Sequence, residues 1–154
     1  MIEDNTRSQA LSAAIKHIGI ATYSSGKIFS YLVERGFPEN ISDSVVKELI
    51  SRGYINDHKA SRKVLISRTG KKQESREYIR KRLLAAGIDR YVAEDVVAGL
   101  PSDTRTCYML YEAFGYSDDT DAIRTEMIGI AVRRGYPYEL ANSVYEVWSQ
   151  ELYR

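Results

Sequence analysis

The apolar residues of this chain recur in a pattern that appears three times, each time around a glycine. Three segments align on it without a gap: 28–49 around Gly36, 79–100 around Gly87 and 127–148 around Gly135. Eight positions before the glycine stand Ile28, Ile79 and Met127, and four before it Leu32, Leu83 and Ala131. One after it come Phe37, Ile88 and Tyr136, and five after it Ile41, Val92 and Leu140. The second half continues with Val45, Val96 and Val144, then Val46, Val97 and Tyr145, then Leu49, Leu100 and Trp148. Steps of four, one and three residues mark one face of a helix. The pattern therefore predicts a helix, a glycine stop, a short turn and a second helix. Glycine just past a helix end takes the left-handed backbone conformation that residues with a Cβ resist.

Each pair is preceded by a further candidate helix. Residues 8–21 are rich in Ala and Ile, residues 57–68 open on Asp57 as a candidate N-cap, and residues 103–114 follow Ser102. Ser24 or Ser25 suits the cap of the helix before Gly36, and Thr120 that of the helix before Gly135. Alternating runs with hairpin turns are missing, so strands are not expected. The expected fold is all-α, with nine helices in three tandem three-helix units at 1–53, 54–101 and 102–154. A unit of this size buries too little to stand alone, so neighbours should stack into an elongated, curved molecule.

Composition changes this picture little. About 44% of residues are apolar and 28% charged, which suits a soluble globular protein. No apolar run approaches the roughly 18 residues needed to span a bilayer. The segment Met1-Ile2-Glu3-Asp4-Asn5 lacks the features of a secretory signal. The single cysteine, Cys107, permits no internal disulfide, and a cytoplasmic setting is expected.

Charge changes it more. The whole chain is near neutral, with 22 basic and 21 acidic residues. Residues 1–57 hold 6 basic and 7 acidic side chains, residues 58–100 hold 11 and 5, and residues 101–154 hold 5 and 9. A basic middle is thus flanked by an almost neutral start and an acidic end. Such asymmetry points to a polyanionic or acidic partner.

Candidate chemistry is sparse. Neither His17 nor His58 has a second histidine at metal-ligand spacing, and one cysteine cannot assemble an ordinary zinc site. Cys107 falls in an apolar helical stripe, which favours a buried structural thiol over a nucleophile. Phosphate-cradling glycine motifs do not occur. The run Asp118-Asp119-Thr120-Asp121 lacks the later Gly and Glu of a calcium loop, and acids at a helix start are favoured by its dipole. The chain is therefore not expected to be an enzyme, nor to hold a metal or cofactor.

The basic middle is the candidate site: Arg62, Lys63, Arg68, Lys71, Lys72, Arg76, Arg80, Lys81 and Arg82, with Arg90 just beyond. Clustered cations beside a helix pair can track a phosphate backbone or an acidic protein groove. Tyr78 lies among them as a candidate for stacking on a base. The competing reading is an ordinary solvated helix surface.

The stretch Gly53-Tyr54-Ile55-Asn56-Asp57, followed by Ala60, Val64 and Arg68, resembles the hallmark of the RecX family of bacterial recombination regulators. Ile79-Arg80-Lys81-Arg82-Leu83 and Ala86-Gly87-Ile88 resemble that family's second repeat. Ile28, Leu32 and Gly36-Phe37 are similar to its first repeat, and Arg133-Arg134-Gly135-Tyr136 to its last. The resemblance covers about residues 10–150. It departs at Gln73-Glu74-Ser75, where the family often has Gly-Pro, and at the acidic stretch 117–121. It implies a protein that binds the RecA filament on single-stranded DNA and lowers its ATPase, strand-exchange and co-protease activities; a monomer is expected. It also implies that the basic middle faces RecA, or single- or double-stranded DNA. The alternatives are a stand-alone DNA-binding module of helix-turn-helix type and a helical scaffold for another protein.

Overall fold

The computed structural model describes residues 2–115 and 120–152, and these form nine α-helices and one 3₁₀ turn with no strand among them. Residues 117–119 of the acidic stretch lie outside the described residues. In order, the helices are α1 (Ile2–Ile18), α2 (Ser25–Glu34), α3 (Glu39–Ser51), α4 (Asp57–Ile66), α5 (Arg76–Ala85), α6 (Arg90–Ala98), α7 (Asp103–Phe114), α8 (Asp121–Arg133) and α9 (Tyr138–Leu152). The 3₁₀ turn is Gly70–Lys72.

The repeat read from the sequence reappears bond for bond at the helix junctions. Phe37, Ile88 and Tyr136 each donate a backbone N–H to a carbonyl five residues back, on Leu32, Leu83 and Ala131, all at 3.1 Å. Gly36, Gly87 and Gly135 each donate to the residue three before, and their φ values are +93°, +84° and +95°. This is the glycine-terminated helix end that satisfies orphan carbonyls. Two residues past each glycine, the carbonyls of Pro38, Asp89 and Pro137 accept the first i-to-i−4 bond of the next helix, from Ser42, Ala93 and Ala141. Every aligned apolar position is buried or half-buried.

Three local expectations need correction. The first helix spans Ile2–Ile18 rather than 8–21. Its polar start extends it because Arg7 reaches α3, with Nη2 on Glu48 Oε1 at 3.0 Å and Nε on Ser44 Oγ at 3.1 Å. Asn56, not Asp57, caps α4, since its side chain accepts the Lys59 N–H at 3.1 Å. That helix stops at Ile66 instead of running to 68. Ser24, Ser102 and Thr120 do cap α2, α7 and α8.

The chain divides into two compact units, Met1–Lys63 with Leu83–Val96, and Val64–Arg82 with Val97–Arg154. In the first, α1, α2 and α3 enclose Ala10, Ala14, Ile28, Leu32, Val45 and Leu49. Asp57 ties this unit together. Its carboxylate accepts the Ser25 N–H (2.7 Å), the Ser25 hydroxyl (2.5 Å) and the Asp89 N–H (2.7 Å), so one side chain satisfies the starts of both α2 and α6. Beside it the Gly26 N–H meets the Gly87 carbonyl at 2.8 Å, and the Ser24 hydroxyl donates to the Ala86 carbonyl at 2.7 Å.

The second unit is built around aromatics. Tyr111, Tyr136, Tyr145 and Trp148 pack with Leu110, Met127 and Ala131, and Tyr111 meets Tyr145 edge-on at 5.7 Å. The buried hydroxyls have partners: Tyr111 donates to the Ala141 carbonyl at 2.8 Å, and Tyr136 pairs with Thr106 at 2.7 Å. A related joint recurs here. The Ser75 N–H meets the Arg134 carbonyl at 3.0 Å, and Asp103 accepts the Arg76 N–H at 2.9 Å.

Candidate partner-binding surface

The nine cations singled out in the sequence meet different fates. Arg62 and Lys63 lie exposed on α4, in the first unit. The other seven belong to the second unit. Of these, Arg76 is half-buried and spent on structure. Its Nε donates to the Pro101 carbonyl at 3.1 Å, and its Nη2 donates to the Leu100 carbonyl. These carbonyls lie between α6 and α7, so Arg76 holds the linker into α7.

Arg82 forms a two-pronged bridge to Glu74, with Nη2 to Oε2 at 2.9 Å and Nε to Oε1. Glu74 is nearly inaccessible, with a side chain 5% exposed, so the guanidinium is the charged partner of a buried carboxylate. The hydrogen bonds to Glu74 hold Arg82 above its ordinary pKa. Arg80 pairs with Glu77 one turn back on α5. Arg68 is half-buried beside a pocket of about 230 Å³, and its Nε is sealed from solvent without a hydrogen-bond partner.

Of the seven, Lys71, Lys72 and Lys81 are exposed, as is Arg82 beside its bridge to Glu74. Lys71 lies 5.6 Å from the centre of the Phe114 ring, and Lys81 lies 5.4 Å from that of Tyr78. Both residues are exposed, and each ammonium group stands over an aromatic face. Arg134, which the sequence did not single out, donates to the Lys71 carbonyl at 2.9 Å and so fixes the 3₁₀ turn bearing Lys71 and Lys72. Tyr78 is less available for stacking on a base than the sequence suggested. It is half-buried, and its ring packs so closely against Gly135 that a Cβ there would stand 2.5 Å away.

The groups that might have supported chemistry are occupied otherwise. Cys107 is buried, and loss of solvent pushes its thiol up to about 11, the opposite of an activated thiolate. His17 stacks on Tyr31 at 3.7 Å and on Tyr23 at 4.9 Å. His58 pairs with Asp95 at 3.0 Å on the surface. No group of three metal-binding side chains occurs among the described residues, and no described helix is long and apolar enough to cross a membrane.

The fold and this surface define a class: an all-helical protein of repeated helix–glycine–helix motifs that presents lysines on aromatic supports. No protein-family model matches the chain. The curated proteins it is similar to include regulatory protein RecX of Mycobacterium avium, 22% identical over 148 residues, covering 92% of this chain and 86% of that protein. RecX of Mycolicibacterium vanbaalenii is 23% identical over 147 residues, covering 88% and 80%. The crystal structure of RecX from Lactobacillus salivarius superposes with a TM-score of 0.72 at 18% identity, covering 96% of this chain and 99% of that one. A second RecX crystal structure gives 0.65 at 16% identity, covering 97% and 74%. The chain is thus similar to RecX proteins along nearly its whole length and shares the fold of the RecX crystal structures.

Proposed function

We propose that this chain is a regulatory protein that binds the RecA filament on DNA as a monomer and lowers its recombinase, ATPase and co-protease activities. The reading rests on the near full-length similarity to proteins named as RecX regulators. It is supported by a surface whose chemistry is cationic and whose nucleophile candidate, Cys107, is buried and held protonated. Regulation here needs no catalytic group and no cofactor; it needs binding to an existing assembly in the cytoplasm. The three sequence repeats, 1–53, 54–101 and 102–154, are proposed as the functional modules, with the middle one contributing the cations.

Of the nine cations, Lys71, Lys72 and Lys81 are assigned the contact with acidic protein surface or phosphate. Lysines suit this role because each offers a mobile point charge that can follow an irregular anionic surface. Arg76 and Arg82 are assigned to supporting that surface.

The deciding experiment titrates the chain against the DNA-dependent ATPase of RecA. Suppression at or below equimolar dose is expected, and an unchanged rate across that range overturns the proposal. In the Lys71→Glu/Lys72→Glu/Lys81→Glu variant the half-inhibitory dose should rise about tenfold with helical content intact, since exposed charges contribute mainly through electrostatics. An unchanged dose overturns the assignment of those lysines. Binding to bare DNA with a steep salt dependence, but without effect on the filament, would instead identify a stand-alone DNA-binding module.

A further inference from the structure

The second unit carries another surface whose character is opposite to that of the lysines. Helices α7 and α9 leave a groove of about 960 Å³. Its floor is apolar: Met109 from α7, with Leu140, Val144 and Val147 following one another along α9 at helical spacing. Met109 is 45% exposed and Val147 is 50% exposed, although both stand beside a well-packed core. Its rim is acidic. Glu112, Glu139 and Glu151 line it against one guanidinium, Arg105. Tyr108 donates its hydroxyl to Glu151 and so holds that carboxylate at the edge.

We propose that this groove is the docking site for an amphipathic helix of a partner protein, with an apolar stripe flanked by Lys and Arg. A groove between two helices with apolar lining accepts one further helix in the ridge-and-groove manner. Exposed aliphatic side chains at the centre gain by being covered, and the polar rim sets which partner covers them. Three carboxylates against one cation select basic flanks and repel both acidic helices and phosphate backbones. The groove is thus a protein-binding surface of different specificity from the lysines on the 3₁₀ turn and α5. This inference goes beyond the proposed regulatory role and does not depend on it.

The test uses the full chain and a fluorescently labelled synthetic helix with a leucine stripe and lysine flanks, read by anisotropy. Saturable binding is expected. It should weaken about tenfold in Glu112→Lys/Glu139→Lys, and also in Val147→Glu, each retaining wild-type helical content. The same peptide with glutamate flanks should not bind. Absence of binding overturns the proposal, as does equal binding of the glutamate peptide or indifference to both variants. Sedimentation covers the remaining occupant: concentration-dependent self-association abolished by Val147→Glu would show that a second copy fills the groove, and would overturn the assignment to a partner helix.

Discussion

Asp57 and Asp103 occupy corresponding places, each at the first residue of the helix that follows a glycine-centred pair, yet they should differ sharply in what they contribute. Asp57 accepts three hydrogen bonds, two of them from the unsatisfied N–H groups that begin α2 and α6. Asp103 accepts one helix-start N–H, that of Arg76. The cause is visible one repeat further on: Pro137 stands where Asp89 stands, two residues past the glycine, and a proline has no N–H to donate. Removing a side chain that caps a helix costs about 1 kcal/mol. Asp57→Ala removes two such caps and strands a hydroxyl in a site where the aspartate is only 7% exposed, so its cost should be about 3 kcal/mol. Asp103→Ala should cost about 1 kcal/mol. Both residues also sit in the first turn of their own helices, so the loss of helix-dipole stabilisation cancels in the comparison. Urea unfolding followed by circular dichroism measures the two costs. Hydrogen exchange should show the Ser25 and Asp89 amides losing protection together in Asp57→Ala. Equal destabilisation by the two variants, or undiminished protection of either amide, would refute the reasoning.

Three further outcomes follow from the same geometry. Gly36→Ala meets no neighbour within 4 Å and should cost only the left-handed conformation, about 1–2 kcal/mol, whereas at Gly87 a Cβ would stand 2.5 Å from Ser24 Oγ, so Gly87→Ala should cost clearly more in the same unfolding assay. Cys107 should resist thiol reagents at neutral pH until the chain is unfolded. Because burial raises its pKa from 9.0 to about 11, the fold favours the neutral thiol, so its contribution is complete below pH 9.0 and is lost as pH rises toward 11; thermal melts across that window should fall less in Cys107→Ala. The Arg7 hydrogen bond holds Glu48 below its ordinary 4.5, so the stabilisation is present above that pH and is lost as pH falls through the lowered folded value. NMR titration of Glu48 should show its pKa returning toward 4.5 in Arg7→Ala.

The helices and their register were legible because they depend on local spacing. The step from Ile28 to Leu32 and the stop at Gly36 are written within a few residues of one another, and the hydrogen bonds that realise them span five residues or fewer. The role of Asp57 was not legible, since its partners stand 32 residues away in both directions and nothing local distinguishes it from an ordinary cap. The same limit decides how the basic middle is read. Counting cations treats Arg76, Arg82 and Lys81 alike, but charge on a surface depends on what each side chain has already been committed to. Arg76 is bound to carbonyls 24 and 25 residues downstream, and Arg82 is matched to the buried carboxylate of Glu74. Replacing either with glutamate would therefore lower stability and binding together, and a loss of activity would say nothing about contact. Reversing Arg76, Arg80 and Lys81 together would confound the two. Lys71, Lys72 and Lys81 avoid the confusion, because all three are exposed, with Lys71 and Lys81 resting on the rings of Phe114 and Tyr78. If the cationic surface is what a partner reads, these three substitutions will separate affinity from folding, and unchanged affinity would mean that the excess of charge in the middle of the chain serves the fold.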